Sequence, residues 1–112
     1  MIFKNWPGNY VGANIGWYEI GNFTLSEGRY EIISSVATQP AKIGGTIIGL
    51  RLVVNGTVYP QVLKTGIDNQ VDSIIHRAFL DAEDNCSVQL MFYHNATVDI
   101  NVSNRVVKIT RV

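Results

Sequence analysis

Thr46-Ile47-Ile48-Gly49-Leu50-Arg51-Leu52-Val53-Val54-Asn55-Gly56-Thr57-Val58-Tyr59 decides the class of fold. In an extended chain successive side chains point to opposite faces. Ile48, Leu50, Leu52 and Val54 therefore share one face, and Arg51 takes the other. Asn55-Gly56 follows without a gap. Both residues tolerate positive φ, which a type I′ turn demands at its two central positions. Thr57-Val58-Tyr59 then resumes an extended pattern, so the stretch reads as a β-hairpin.

The same grammar extends from Trp17 to Val112. Trp17 to Leu25 is strand-like and ends at Ser26-Glu27-Gly28. Tyr30 to Thr38 is rich in β-branched and aromatic residues, and Gln39-Pro40 closes it. Val62-Leu63 leads to a polar break at Lys64 to Asn69. Val71 to Leu80 is closed by Asp81-Ala82-Glu83-Asp84-Asn85. Cys86 to Tyr93 sets Cys86, Val88, Leu90 and Phe92 on one face. Thr97 to Val102 aligns Val98, Ile100 and Val102, a turn is expected at Ser103-Asn104, and Arg105 to Arg111 points Val107 and Ile109 inward. This makes about eight strands at the spacing of a sandwich. The expected organisation is an irregular arm over residues 1–16 followed by an all-β antiparallel sandwich over residues 17–112. The arm holds Trp6, Pro7, Gly8, Tyr10, Gly12 and Gly16. It reads either as a segment that docks onto something else or as a first irregular strand on its own domain.

Composition narrows the function. The chain has 112 residues, enough for one domain with a core of its own. Nine Lys and Arg balance nine Asp and Glu. A neutral chain has no electrostatic reason to seek nucleic acid or an anionic membrane. Charged residues make up 16%, below the usual value of about 25%. So small a charge on so small a domain implies surface buried in an oligomer or against a partner. Cys86 is the single cysteine, so no internal disulfide forms, and its place in the alternation marks it as core. Met1 to Pro7 shows no basic start followed by an apolar run, and no stretch reaches membrane-span length. The sequons at Asn22, Asn55, Asn85, Asn95 and Asn101 then read as a by-product of an Asn- and Thr-rich composition.

No constellation marks catalysis, a cofactor or a metal. His76 and His94 are the only histidines, placed within a strand and at a strand end. Neither has a marked triad partner. Asp81, Glu83 and Asp84, with Asp68 and Asp72, lack the spacing of a calcium loop and read as polarised turns. Gly44-Gly45-Thr46 lacks the following Lys-Ser/Thr of a phosphate loop and reads as a turn or bulge. Lys42, Arg51, Lys64, Arg77, Arg105, Lys108 and Arg111 are scattered, with no interleaved aromatic platform for nucleic acid.

Several segments resemble one family. Phe23-Thr24-Leu25-Ser26-Glu27-Gly28-Arg29-Tyr30-Glu31-Ile32 resembles the strand–Gly–x–Tyr entry of the tumour-necrosis-factor-like and complement-globular-head jelly rolls. Leu52 to Tyr59 is similar to their central L-x-V-N-G hairpin. Phe79 to Leu90 resembles their L-x-x-G-D-x-V-x-L segment, with Asp84 on its aspartate, although Ala82 and Glu83 stand where the family usually has glycine. Val106 to Val112 is similar to their closing strand. The resemblance covers roughly residues 17–112 and implies a jelly roll.

Members of that family include secreted ligands, receptor-binding heads of phage fibres and small capsid decoration proteins. A secreted ligand would need a signal or a collagen-like stalk and a fibre head a shaft, and none of these is expected ahead of the sandwich. The expectation is therefore a non-enzymatic virion protein, most like the cement or staple proteins of tailed bacteriophages. It would be made in the host cytoplasm and sit on the outer capsid surface. The implied partners are the major capsid protein and further copies of the chain as a dimer or trimer, with no nucleic acid, membrane or cofactor. Trp6, Tyr10, Trp17 and Tyr18 are the expected contact residues, with Trp6 and Tyr10 as anchors. The alternative is a receptor-binding head recognising a host-surface saccharide or protein through exposed Tyr59, His76, Tyr93 and His94. A cupin-type enzyme would need a His/Glu metal cluster that two isolated histidines do not make.

Overall fold

A computed structural model describes residues 1–12, 14–39 and 44–112. The expected break at Pro40 and the basic residue Lys42 lie outside the described residues. Ten strands are present: β1 (Ile2–Trp6), β2 (Tyr10–Gly12), β3 (Gly16–Leu25), β4 (Gly28–Thr38), β5 (Ile47–Val54), β6 (Thr57–Val58), β7 (Val62–Thr65), β8 (Ser73–Ala82), β9 (Cys86–His94) and β10 (Ile100–Arg111). No helix occurs among the described residues. The strands form two antiparallel five-stranded sheets. The first sheet runs β1-β10-β4-β8, with β2 also on β10; the second runs β3-β9-β5-β6, with β7 also on β5. The all-β sandwich expected from the sequence is what the chain forms.

Alternation builds the core. Ile32 and Val36 of β4, Ile74 and Leu80 of β8, and Val107 and Ile109 of β10 line the inner side of the first sheet. Ile48, Leu50, Leu52 and Val54 of β5 face them with Cys86, Val88, Leu90 and Phe92 of β9, and all are buried. The hairpin at Asn55-Gly56 has φ of 47° and 82°, the signs of a type I′ turn, and pairs Val54 with Thr57. Asn55 adds a side-chain bond, its Oδ1 accepting from the Ser87 amide at 2.9 Å.

Three expectations need correction. Within the expected arm of residues 1–16, Ile2–Trp6 and Tyr10–Gly12 are strands of the domain's own sheet. Ile2 to Trp6 pair residue for residue with Ile109 to Arg105, and Tyr10 to Gly12 pair with Val102 to Ile100. The backbone amides of this segment thus find partners on its own domain. Ser103-Asn104 is likewise not a turn between strands. β10 runs through it, with a register shift against β4 between Ser103 and Val106 and Asn104 at φ 50°. A bulge inserts an extra residue and flips the alternation. That is how Val102 and Val107, an odd number of residues apart, both point inward. The preceding strand also begins later than expected, at Ile100, and Val98 is exposed.

A second bulge lies in β3, between Glu19 and Gly21 against β9. The two bulges meet. Arg105 donates from Nη1 to the Ile20 carbonyl at 2.9 Å and from Nη2 to the Pro7 carbonyl at 3.1 Å.

Candidate functional site

The structure turns three of the four expected contact aromatics toward the domain itself. Trp6, Tyr10 and Tyr18 are partly buried and packed against the core. Trp6 lies over Gly21, where an added Cβ would come within 2.8 Å of the indole. Tyr10 meets Tyr18 at a centroid separation of 6.0 Å, and Tyr18 stacks on His94 at 5.7 Å with planes 7° apart. The Tyr18 hydroxyl donates to the Asn14 carbonyl and accepts from the Asn14 amide at 2.6 Å.

His76 and His94, expected as exposed in the receptor-binding alternative, are both buried. His76 Nε2 donates to the Pro60 carbonyl at 2.6 Å. His94 Nδ1 accepts from the Ala96 amide at 3.2 Å. Asp72 is buried as well, its Oδ2 accepting from the Ile67 amide at 2.9 Å with Lys64 at 3.3 Å from Oδ1. Asp68 accepts from the Gly44 amide at 2.6 Å. These carboxylates order turns, and no group of metal-ligating side chains occurs among the described residues.

The outer side of the first sheet is different. Its side chains fall in rows across four strands: Phe3, Lys108, Ile33 and Arg77; then Asn5, Val106, Ser35 and Ile75. Thr110, Glu31 and Phe79 make a third, shorter row. Phe3 is 63% exposed and Ile75 and Phe79 are each 61% exposed. Arg77 pairs with Glu31 and lies 5.2 Å over the Phe79 ring, and Arg29 pairs with Asp81 at 2.8 Å, so two ion pairs on this face are internally matched. β8 is the edge of this sheet and pairs with β4 over ten residues without a bulge. A long, regular edge carrying exposed apolar side chains is a template for another chain. The opposite edge of this sheet is the short strand β1, while β3, the edge of the second sheet, carries a bulge whose Ile20 carbonyl is bonded by Arg105.

The outer side of the second sheet carries a recess. Leu63, Gly49, Tyr93 and Trp17 are neighbours across β7, β5, β9 and β3. Trp17 and Tyr93 lie 5.3 Å apart and are tilted by 42°. The Arg51 guanidinium sits 3.9 Å over the indole. With Ile47, Gln61 and Asn95 these side chains line a space of about 300 Å³. Trp17 thus borders this recess, and Trp6 borders another of about 250 Å³ with Asn5, Pro7 and Asn104. Tyr93 and Gln61 complete the Trp17 recess, and only the pairing of strands distant in sequence brings them together.

No family model matches this chain, and no curated protein matches it. The fold is similar to part of a chain in the structure of infectious bursal disease virus, Gx strain. The TM-score is 0.72 at 10% identity, over 98% of this chain and 31% of that one. The chain therefore spans about a third of the length of that viral chain. Sheets, connectivity and likeness together define an all-β, jelly-roll-like sandwich.

Proposed function

We infer that the chain is a non-enzymatic virion structural protein that decorates a capsid and clamps neighbouring shell subunits. The observation that carries this reading is the outer face and edge of the first sheet. Phe3, Ile75 and Phe79 lie bare on a face whose edge strand β8 is unbulged and whose carboxylates Glu31 and Asp81 are paired with Arg77 and Arg29. Such a surface is stabilised when another chain covers it, and shell symmetry multiplies each modest contact. The jelly-roll-like fold it shares with a viral chain supports the same reading. The partners in this reading are capsid subunits on the outer shell surface.

Native mass by light scattering, combined with cosedimentation on particles from the same source, tests it. The expected result is a monomer or dimer in solution that sediments with the particles. A trimer that persists on dilution and stays off the particles would overturn it in favour of a receptor-binding head, since the resembling family closes around a threefold axis.

A further inference from the structure

We propose that the recess between Trp17 and Tyr93 is a binding site for one ring of a neutral saccharide. It lies on the sheet opposite the face assigned to assembly and stands independently of that reading. The argument begins with shape. At about 300 Å³ the space is at the lower end of ligand sites, the size of a single small ring rather than an extended chain. The walls are aromatic and aliphatic: Trp17, Tyr93, Leu63 and Ile47. Trp and Tyr offer flat apolar faces with a polar edge, which match the C–H face of a pyranose and its rim of hydroxyls.

The polar groups at the rim are neutral amides. The Asn95 Oδ1 accepts from the Ile47 amide at 2.6 Å, which leaves its Nδ2 to donate. Gln61 is exposed and supplies both a donor and an acceptor. No carboxylate lines the space, so the chemistry fits an uncharged sugar rather than an amine. The aromatic wall is also held in place before any ligand arrives. Arg51 stacks on Trp17, and the indole tip and Leu63 converge over Gly49, where an added Cβ would lie 2.7 Å from Leu63 and 3.3 Å from the indole. A wall ordered in advance spares a ligand the entropy of ordering it. A proline-rich peptide also docks on aromatic residues, but it needs a run of pockets along an extended helix, and this recess is single.

The test titrates the intact chain with a panel of neutral oligosaccharides (malto-, cello- and chito-trioses, and lactose), read by saturation-transfer NMR and tryptophan fluorescence. Trp6→Phe removes the other tryptophan, so the signal reports Trp17 alone. Saturable binding of at least one sugar is expected below about 10 mM. Gln61→Ala lies on an exposed segment and leaves the thermal midpoint unchanged, and it is expected to weaken that sugar by about five- to tenfold. Trp17→Ala is expected to abolish binding while the Gln61 variant keeps the test valid if Trp17→Ala misfolds. No saturable sugar in the panel overturns the proposal, as does a sugar bound equally by the Gln61 and Trp17 variants. Saturable binding of a proline-rich decapeptide in place of every sugar also overturns it.

Discussion

Arg105 Nη1 donates to the Ile20 carbonyl at 2.9 Å, joining the bulge in one sheet to the bulge in the other. A bulge leaves backbone groups without ladder partners, and the guanidinium supplies a donor to one of them. Arg105→Ala is expected to cost about 1–3 kcal/mol, since the Ile20 carbonyl loses a charge-assisted bond. Arg105→Lys is expected to recover less than half, because a single ammonium cannot serve both Ile20 and Pro7 as the fork does. Urea unfolding of the three proteins checks this; equal midpoints would remove Arg105 from the account.

The same corner couples Trp6 to Gly21. Trp6→Ala empties a half-buried space and is expected to cost about 2 kcal/mol, or a fall of roughly 10 °C in Tm. Gly21→Ala drives a Cβ against the indole and is expected to cost about 1–3 kcal/mol in the wild-type background. In the Trp6→Ala background the methyl enters the vacated space, so the two costs are expected to fall short of their sum by at least about 0.5 kcal/mol. A double-mutant cycle by thermal unfolding measures it. Strict additivity, or a fully stable Trp6→Ala protein, would return Trp6 to the role of an outward anchor.

This corner also shows what the sequence carries and what it does not. Strands β3, β4, β5, β8 and β9 are legible because alternation is local and each ends in a recognisable turn. β1 is not, since its partner β10 lies at the other end of the chain and only that pairing makes Ile2 to Trp6 regular. Asn104 misleads for a different reason: an asparagine at positive φ serves a bulge as well as a turn, and the residue alone does not separate them. Trp6 reads as exposed until Gly21 is seen beneath it. Trp17 borders a recess whose other walls, Tyr93 and Leu63 on β9 and β7 and Gln61 just before β7, come from segments that the sequence alone does not set side by side.

At Asn55 the demands on backbone and side chain coincide. Its φ of 47° suits asparagine, and its Oδ1 accepts from the Ser87 amide. Asn55→Ala is expected to cost about 1–2 kcal/mol through both losses. Asn55→Gly keeps the backbone conformation and is expected to lose about half as much. Chemical denaturation separates the two; an equal cost would assign the whole effect to the hydrogen bond.

Cys86 titrates in a definite direction. Burial chiefly, and then the nearby Glu83 charge, push its thiol above the ordinary value of 9.0. The folded chain therefore holds this proton more tightly than the unfolded chain. Its contribution to stability is full below the unfolded thiol's pKa and is lost as pH rises from there through the raised folded value. Alkylation by iodoacetamide at pH 8 is expected to be slow in the native chain and fast in urea, while Cys86→Ala loses the alkaline component of the stability curve. Fast native alkylation would place the thiol at the surface.

Phe79 and Ile75 separate assembly from folding. Both side chains stand outside the core on β8, so Ile75→Lys/Phe79→Lys is expected to change stability by no more than about 0.5 kcal/mol. Lysine on an edge strand also discourages the addition of another strand. If this face meets capsid subunits, the double variant is expected to lose at least about tenfold in particle cosedimentation, because central apolar anchors dominate interface energies. The recess at Trp17 lies on the other sheet, so saccharide titration of the same variant is expected to match that of the wild type. A folded double variant that still sediments with particles would move the contact away from β8 and leave the exposed Phe3 end of the face as the next surface to alter.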